Sequence, residues 1–319
     1  MGLNKINKRK AFVDFIRLQK KEKKMKKILV FGSLNIDIVY SLDHIVRPGE
    51  TILSTSIEKN AGGKGLNQAC AISKTGLDVY MAGCVGEDGD MLIDTLSSFG
   101  VNVDNVKRVE VPTGNAIIER SRDGQNSIIL YAGANRVIDK TMIDCVLASF
   151  SPGDIIVLQN EINGLSEIIK KASEKGMYVV FNPAPFDESV FSLPLEKVNL
   201  LVVNEIEGAG VAGKGEDATY EEILDALKEK YRDNEVIMTC GKNGSYWQKG
   251  DKRIYEKVRV VDAVDTTAAG DTFIGYFIAS REKGYDIEDA MKYATIASSI
   301  TVTRKGAAGS VPKGEEVFK

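Results

Sequence analysis

Six short runs of consecutive apolar residues, separated by helix-like segments, constrain the fold of this chain more than any other feature. The runs are rich in Val and Ile and lack polar alternation, which is typical of strands buried on both faces. They are KILVFGS, VYMAGCV, DIIVLQ, YVVFN, NLLVVN and VIMTCG. Helical segments are predicted at 64–75, 88–99, 164–175, 219–231, 268–281 and 286–303. The alternation predicts an α/β fold with a doubly wound, mostly parallel sheet flanked by helices.

Two regions, 38–60 and 111–131, break this pattern because each has strand-like alternation with a turn and no helix between its strands. Together they predict a small antiparallel β-sheet that projects from the main sheet. Such a sheet is stable only when one face is covered. We therefore predict that it is a lid over a ligand, an interface with a partner subunit, or both.

Composition limits the chemistry that the chain can perform. Of its 319 residues only one is a histidine, His44, so a catalytic base is expected to be a carboxylate. Four cysteines are scattered without metal-ligand or disulfide spacing: Cys70, Cys84, Cys145 and Cys240. They are predicted to be reduced thiols, which favours a cytoplasmic location.

Charge and hydropathy argue against nucleic-acid and membrane partners. The net charge is −3, yet residues 1–24 contain nine Lys or Arg against two acidic residues. We predict a basic N-terminal tail over 1–26, disordered or helical, followed by one α/β domain over 27–319. Salt-dependent nucleic-acid binding by the tail is the alternative. No run of 18 apolar residues predicts a membrane span.

The sequence GAGVAG (208–213) matches the glycine pattern of a dinucleotide fingerprint but not its context. In that fingerprint the first glycine ends the strand and the last opens a helix. Here EIE intervenes after the strand, and KGEDA follows the glycines. Dinucleotide binding is therefore not predicted, and no P-loop pattern occurs.

Polar residues follow the first apolar run and open the first helix. Asn35 and Asp37 lie two residues apart just past the run KILVF, so both side chains face one side if the chain is extended. A carboxylate and an amide together suit neutral hydroxyls such as those of a sugar. The segment NAGGKGLNQACAISKTG (60–76) has glycines that let the backbone approach a small ligand, and Asn67 in the first helical turn. An Asx turn and a plain tight turn are the structural alternatives.

The segment AVDTTAAGDTF (263–273) combines two carboxylates with small residues at the predicted start of a helix. Thr266 or Thr267 is predicted to cap this helix, which would begin near Ala268. First-turn N–H groups lack intrahelical partners, and small side chains leave them open to an anion such as phosphate. Asp271 would repel phosphate, so we expect it to act as a base toward a hydroxyl beside the phosphate.

Seven motifs in register resemble the ribokinase family of sugar kinases: GSLNID, NAGGKGLNQA, NPAP, VVNEIE, TCGKNG, AVDTTAAGDTF and TVTRKGAAGSVP. Their order and spacing match from about residue 27 to 312. The resemblance implies a doubly wound α/β domain with a β-sheet lid that also serves as a homodimer interface. It implies ATP-dependent phosphorylation of the terminal hydroxyl of a sugar, with D-ribose as the first expectation.

The resemblance also implies roles for individual residues. Asp271 would be the catalytic base, beside an anion hole formed by Ala268, Ala269 and Gly270. The implied sugar contacts are Asn35, Asp37, Gly63, Lys64, Gly65, Asn67 and Glu161.

The cofactors implied are Mg²⁺ with ATP and a monovalent activator, K⁺. Asn204 and Glu207 would organise Mg²⁺ and the phosphates. The implied nucleotide contacts are Thr239, Cys240, Gly241, Lys242, Asn243, Gly244, Gly270 and Thr295. The implied K⁺ site, several members through backbone carbonyls, is Asp265, Thr267, Thr301, Arg304, Gly306 and Ser310. From the residues alone, Asp265 suits a cation or braces its loop.

Two positions depart from the family pattern. Thr295 stands where relatives often carry Asn or His near adenine, and Asn115 lies in the lid where an apolar residue is more common. Because Asn115 is expected to be able to face the sugar, other substrates remain open: another pentose, a nucleoside or a keto-sugar acid. A sugar-binding regulator without activity is a further alternative, but it would not need Asp271.

Overall fold

The computed structural model describes residues 26–215 and 217–319. The predicted basic tail, 1–26, thus lies outside the described residues except for Lys26. The strands are β1 Ile28–Phe31, β2 Asn35–Leu42, β3 Ser56–Gly62, β4 Val79–Val85, β5 Asn102–Arg108, β6 Gly114–Ser121, β7 Asn126–Tyr131, β8 Ile155–Gln159, β9 Tyr178–Asn182, β10 Leu200–Asn204, β11 Glu235–Thr239, β12 Ser245–Lys249 and β13 Lys252–Glu256. The helices are α1 Lys64–Ser73, α2 Asp90–Ser98, α3 Lys140–Ala148, α4 Leu165–Glu174, α5 Glu205–Ala212, α6 Tyr220–Lys230, α7 Ala269–Glu282, α8 Ile287–Thr301 and α9 Gly314–Val317.

The main sheet has nine strands in the order β13-β12-β11-β10-β9-β8-β1-β4-β5. The strands from β11 to β5 run parallel, and the hairpin β12–β13 adds an antiparallel edge. From β1 the chain first adds β4 and β5 on one side and then β8 to β11 on the other. The sheet is therefore doubly wound. All six apolar runs become parallel strands of this sheet, which confirms the predicted fold class.

Both faces of the main sheet are covered by apolar helix faces. Alternate residues of β1 belong to two separate cores: Ile28 and Val30 to one, Leu29 and Phe31 to the other. The first core also contains residues of α1, α2, α7 and α8, and the second contains residues of α3, α4, α5 and α6. Burial on both faces explains why the strands read as continuous apolar runs.

The second sheet has four strands in the order β3-β2-β6-β7, and both regions predicted as a lid contribute two strands to it. The outer pairs β2–β3 and β6–β7 are antiparallel, as predicted. The central pair β2–β6 is parallel, with Asp37 opposite Ala116. The two hairpins thus associate side by side, which local turn signals do not specify.

The six predicted helices are all present within a few residues of their expected bounds, whereas other elements were not predicted. These are α3, α5, α9, β5 and the hairpin β12–β13. Helix α5 contains most of GAGVAG, whose glycines are poor helix formers. All four cysteines are free thiols. Among the described residues, no helix combines the length and apolar character needed to cross a bilayer.

Candidate active site

The predicted site residues converge at the carboxyl ends of the parallel strands. Glu161 follows β8, Asn204 ends β10 and Thr239 ends β11. Asp271 lies in the first turn of α7. In doubly wound sheets ligands bind outside this edge. The edge is therefore the candidate active site.

Glycines let the start of α1 pack directly against the turn that follows β1. Gly63 has a φ of +92°, and a Cβ at this position would lie 2.8 Å from the carbonyl oxygen of Ser33. A Cβ on Gly65 would lie 2.6 Å from the Ser33 nitrogen. This close backbone contact brings Lys64 and Asn67 to the end of β1.

Glu161 and Asp37 form the acidic part of the site. The Glu161 carboxylate accepts hydrogen bonds from the Ser33 hydroxyl and, at 3.2 Å, from the Lys64 backbone N–H. The Asp37 carboxylate covers Gly62, where a Cβ would lie 2.1 Å from Asp37 Oδ2. Burial and the charge of Glu161 raise the pKa of Asp37 to about 7. The ionised carboxylate of Asp37 therefore lacks hydrogen-bond donors within the described residues. The hydroxyl groups of a ligand could supply them.

The side chain of Lys64 is partly buried, and the charges of three carboxylates act on its ammonium group. Burial disfavours its charge, but the charges of Asp271, Glu161 and Glu207 outweigh burial and raise the pKa of Lys64. Lys64 therefore stays positive at neutral pH and partly balances the acidic groups around it.

Asn135, a residue that the sequence did not single out, orients the predicted sugar ligand Asn35. Asn135 Nδ2 donates to Asn35 Oδ1 at 2.7 Å, and its Oδ1 accepts from the Leu34 backbone N–H at 3.0 Å. Both asparagines are buried. The Asn35 oxygen is thus occupied, and its NH₂ group remains available to a sugar oxygen.

Asp271 is only 8% exposed, and two amide side chains of α1 hold its carboxylate. Gln68 Nε2 donates to Asp271 Oδ1 at 2.9 Å, and Asn67 Nδ2 donates to Oδ2 at 3.3 Å. Asn67 Oδ1 is buried and has no hydrogen-bond partner within 26–215 and 217–319. A ligand hydroxyl beside Asp271 would supply the missing donor.

The start of α7 corrects one prediction. Neither Thr266 nor Thr267 caps the helix, since the residue before its first turn is Ala268, in a left-handed conformation with φ +58° and no side-chain cap. The Ala269 N–H donates to the Thr266 carbonyl at 3.3 Å, so this predicted anion-hole donor is partly used.

The next two amides are open. The N–H groups of Gly270 and Asp271 donate no hydrogen bond to any residue that the structure describes. A Cβ on Gly270 would meet nothing within 4 Å. The helix thus presents two free N–H groups beside a carboxylate, with room for an anion.

The predicted nucleotide loop, 239–244, forms a tight turn after β11. The Cys240 N–H donates to the Gly244 carbonyl, and the Asn243 N–H donates to the Cys240 carbonyl, both at 2.8 Å. Burial raises the pKa of the Cys240 thiol to about 12, so this residue offers only its backbone. Lys242 and Asn243 are exposed at the tip of the turn.

Asn204 and Glu207 form a capping box at the start of α5. Asn204 Oδ1 accepts from the Glu207 N–H at 2.8 Å, and Glu207 Oε2 accepts from the Asn204 N–H at 3.0 Å. Burial raises the pKa of Glu207 although the Asn204 N–H and Lys64 favour its charged form. In the described part of the chain, no cluster of three or more His, Cys, Asp or Glu could hold a metal. The single carboxylate of Glu207 nevertheless suits Mg²⁺, because phosphate oxygens and water can supply its other ligands.

Asp265 ties three segments together near the start of α7. Its Oδ1 accepts from the Thr267 N–H at 2.9 Å, and its Oδ2 accepts from the Gly306 N–H at 3.0 Å. Its own N–H donates to the Val302 carbonyl at 3.1 Å. Burial opposes ionisation of Asp265, but the hydrogen bonds outweigh it and lower the pKa. An ionised carboxylate in a loop suits either a monovalent cation or a bracing role through these backbone N–H groups.

Thr295 belongs to the predicted nucleotide site and Arg304 to the predicted cation site, and their surroundings differ. Thr295 is buried on α8, and its carbonyl accepts from the Ser299 hydroxyl at 2.7 Å. The Arg304 guanidinium pairs with Glu316 at 2.5 Å, which leaves only the Arg304 backbone for a cation site. Ser310 is buried, and its hydroxyl donates to the carbonyl of Ala307.

A comparison with protein-family models decides the family. The model described as pfkB family carbohydrate kinase matches residues 25–314, nearly the whole described chain. The chain belongs to the pfkB family of carbohydrate kinases. This match confirms the predicted resemblance and the prediction of a sugar kinase.

Individual proteins similar to this chain include ribokinases and a deoxyribokinase. A ribokinase of Schizosaccharomyces pombe is 36% identical over 312 residues, which cover 91% of this chain and 96% of the relative. A deoxyribokinase of Salmonella typhimurium is 32% identical over 296 residues, with 91% and 96% coverage. The structure of Arabidopsis thaliana ribokinase complexed with ribose and ATP is 30% identical, with a TM-score of 0.83 and coverage of 92% of this chain and 97% of that one.

The register of the small sheet corrects the expectation for Asn115. Asn115 lies opposite Ile36 on β2 and Tyr131 on β7, whereas Asp37 lies opposite Ala116. Because successive residues of a strand face opposite sides, Asn115 and Asp37 are on different faces of the small sheet. Asn115 therefore does not face the sugar beside Asp37.

Sequence reasoning missed several polar residues of the site: Ser33, Gln68, Asn135, Gln159 and Asn182. A signal was present for two of them, because Gln159 and Asn182 are the last residues of the apolar runs DIIVLQ and YVVFN. A polar residue at the carboxyl end of a buried strand points to the ligand edge of the sheet.

Proposed function

We propose that this pfkB kinase transfers the γ-phosphoryl group of ATP to the terminal hydroxyl of D-ribose and so forms D-ribose 5-phosphate. One observation carries the chemistry. Asp271 is a buried carboxylate beside the Gly270 and Asp271 N–H groups, which have no partner among the described residues. The ribokinase names of similar proteins support ribose as the sugar.

Asp271 acts as the base in this reaction. As the sugar oxygen bonds to the γ-phosphorus, its proton passes to Asp271 Oδ2, and the bond from the γ-phosphorus to the β–γ bridging oxygen breaks. ADP leaves with that electron pair. The Gly270 and Asp271 N–H groups stabilise negative charge on the transferring group. A general base contributes about 10²–10⁴-fold, and each such donor about 10²–10³-fold.

Ribose hydroxyls would be bound by side chains on both sides of the glycine loop. Asp37 and Glu161 accept hydroxyl hydrogens, and Asn35 offers its NH₂ group. Asn67 Oδ1, which lacks a partner in the described structure, accepts a further hydroxyl. The backbone of Gly63, Lys64 and Gly65 closes the site from the other side.

The nucleotide would lie along the ends of β10 and β11. Glu207 and Asn204 would help to hold Mg²⁺ beside the phosphates of ATP. The bound ion would neutralise phosphate charge. The turn 239–244 would face the phosphates through its backbone, and Thr295 would lie toward adenine.

We also propose a K⁺ site at Asp265. The carbonyls of Thr267, Thr301, Arg304, Gly306 and Ser310 would complete the ligand set. The position of Asp265 in the loop that leads into α7 supports this role, because the loop sets the place of the free amides.

We infer a homodimer through the small sheet, and exposed apolar residues on one of its faces support this. Ile57, Ile117, Ile129 and Tyr131 lie on the face opposite Asp37, and each is at least 36% exposed. Such a cluster is typical of an interface. We retain the predicted cytoplasmic location and the absence of nucleic-acid and membrane partners.

A second substrate is favoured by one observation, the 32% identity to a deoxyribokinase. 2-Deoxyribose lacks one hydroxyl, so a site that binds this hydroxyl rejects the analogue by leaving a buried group unpaired. Other pentoses, nucleosides and keto-sugar acids remain weaker alternatives, and a non-catalytic regulator is the least supported one.

The test is a coupled assay of ADP release with ribose, 2-deoxyribose, other pentoses, hexoses and nucleosides. We expect the highest kcat/KM with ribose. Asp271→Asn should lower kcat by at least about 10²-fold while calorimetry still shows ribose binding. Asp262→Asn, which changes an exposed carboxylate directly before the segment 263–273, is the matched control and should keep kcat. Retention of more than about a tenth of kcat in Asp271→Asn would contradict the base assignment.

A further inference from the structure

Two buried glutamines behind Asp271 form a chain of hydrogen bonds that ends on its carboxylate. Gln159 Nε2 donates to Gln68 Oε1 at 2.7 Å, and Gln68 Nε2 donates to Asp271 Oδ1 at 2.9 Å. The same Gln68 nitrogen lies 3.5 Å from Asn182 Oδ1. Both glutamines are fully buried, so bulk water does not compete for these bonds.

The carboxylate fixes the direction of this chain. If Gln68 were reversed, its oxygen would face Asp271 Oδ1, and two buried acceptors would meet. If Gln159 alone were reversed, its oxygen would face Gln68 Oε1. The observed direction leaves Gln159 Oε1 buried over Gly32 without a partner in the described structure. A buried unpaired acceptor is unfavourable, which indicates that the orientation of Gln68 has a role beyond packing.

We propose that Gln68 and Gln159 are positioning residues for the base, which hold Oδ1 of Asp271 so that Oδ2 faces the sugar hydroxyl. The proposal rests on the proposed role of Asp271. The other donor to this carboxylate, Asn67, contacts Oδ2 at 3.3 Å and is itself a predicted sugar ligand. Gln68 is therefore the donor that can hold Asp271 in the same place whether or not sugar is bound.

Hydrogen bonds to the ionised form of a carboxylate favour that form, so Gln68 also keeps the base ready to accept a proton. The charged groups that act on Asp271 from neighbouring elements are Lys64 on α1 and Glu207 on α5. Their charges are opposite in sign, and neither group occupies the place of Gln68 at Oδ1. Loss of the Gln68 donor would therefore leave Oδ1 of the ionised base without this hydrogen bond.

Gln68→Met tests the proposal because it removes the donor and keeps the length of the side chain. We expect kcat to fall by about 10- to 10²-fold, since small misplacements of a reacting group have effects of that size. The KM values for ribose and ATP should change by less than about threefold. The acidic limb of the kcat–pH profile should move to higher pH, because the ionised base loses a hydrogen bond.

Gln159→Met is the second variant and should change kcat and the acidic limb in the same direction by a smaller amount. In the Gln68→Met background it should have no further effect, because Gln159 acts only through Gln68. The matched control is Gln248→Met: Gln248 is also buried, and its Nε2 donates to the Leu224 carbonyl at 2.8 Å. This control should lower Tm without moving kcat or the pH limb.

The outcomes separate this proposal from the proposed function. Gln68→Met with kcat within about threefold of wild type and an unmoved pH limb overturns the positioning role. If Gln68→Met does not fold, the same result for Gln159→Met overturns it. An active Asp271→Asn enzyme overturns the base assignment itself. An inactive Asp271→Asn enzyme beside a fully active Gln68→Met enzyme overturns the positioning role alone.

Discussion

The two halves of the site that meet at Asp271 are built from different groups. The sugar half consists of side chains from β2, α1 and the end of β8, among which Asp37, Lys64 and Glu161 carry charge. The phosphate half, residues 268–270, offers backbone N–H groups and no side chain larger than a methyl group. We therefore expect function in the first half to depend on charge and protonation, and function in the second to depend on space and backbone conformation.

Backbone conformation supports this contrast. Ala268, with φ +58°, is the one residue other than glycine with a positive φ in 26–215 and 217–319. A methyl side chain there pays a steric penalty that a glycine would not. The strained residue lies two residues before Gly270, whose N–H is the first of the free amides, so it orients the start of α7. We expect substitutions in the sugar half to change activity gradually. Substitutions that add a side chain in the phosphate half should change it sharply.

The largest effect is expected at Gly270, where a Cβ meets open space. Gly270→Val would fill the place of the transferring phosphoryl group and lower kcat/KM for ATP by at least about 10²-fold, as loss of one anion-hole donor does. Gly270→Ala should have an intermediate effect on activity. It should keep or raise Tm, because Ala favours a helix over Gly by up to about 1 kcal/mol.

Steady-state kinetics measure kcat/KM for ATP, and thermal melts measure Tm. Ser166→Val, a change at the exposed second residue of α4, is the matched control and should leave kcat/KM unchanged. If Gly270→Val retains activity within about threefold, the start of α7 is not the phosphate site and the contrast between the halves breaks down.

The sugar half should respond to pH through Asp37. Its pKa of about 7 means that the carboxyl is largely protonated below pH 7 in the free enzyme. Only the ionised form accepts two hydroxyl hydrogens, so the Kd for ribose should fall as pH rises from 5 to 8, with a midpoint near 7. Asp37→Asn should remove this dependence and raise Kd at pH 8 by about tenfold, the loss of one buried hydrogen bond. Calorimetry at several pH values measures this.

Binding of ATP should be unchanged in Asp37→Asn, and Asp262→Asn should match wild type for both ligands. Equal losses for ribose and ATP would mean that Asp37 only braces the loop. A flat Kd profile in the wild type would show that ribose binding does not depend on ionised Asp37.

The same pKa shift has an effect on stability. The ordinary pKa of the Asp37 carboxyl is 3.8, so the folded state binds this proton more tightly than the unfolded chain does. The contribution of Asp37 to the free energy of unfolding therefore falls as pH rises from about 4 to 7. Asp37→Asn should raise Tm relative to wild type at pH 8 and by less at pH 5. A lower Tm for Asp37→Asn at pH 8 would contradict this.

The sequence specified the ligand edge because each element there carries a local signal. The apolar runs marked the strands, the glycines marked the close approach of α1, and the small residues before Asp271 marked an open helix start. These signals concern residues near each other in the chain, where sterics and hydrogen bonding act locally. They were sufficient for the fold class and for the edge of the sheet at which Asp271 lies, but not for Gln68, which donates to Asp271.

What the sequence left open depends on long-range pairing. The face of Asn115 follows from the register of β6 on β2, and a shift of one residue would reverse it. Gln68 and Gln159 are distant in sequence, and their contact exists only because α1 packs over the end of β8. The conformation of Ala268 was missed because a positive φ is expected of glycine.

The smallest effect is expected from the monovalent cation, which would act on the phosphate half without touching the substrate. Asp265 fixes the loop before α7 by accepting from the Thr267 and Gly306 N–H groups. A K⁺ ion at this carboxylate would add loop carbonyls to the same anchor. The ion would thereby hold the free amides of α7 at hydrogen-bond distance from the transferring group.

Activity should therefore be a few-fold higher in KCl than in NaCl or choline chloride at equal ionic strength, which controls for screening. Asp265→Ala should lower kcat and abolish the preference for K⁺, because both the anchor and the ion are lost. The Kd for ribose should change less, since Asp265 lies outside the sugar half. Equal rates of the wild type in all three salts would exclude K⁺ activation and leave Asp265 as a brace between the loop and the turn at Gly306.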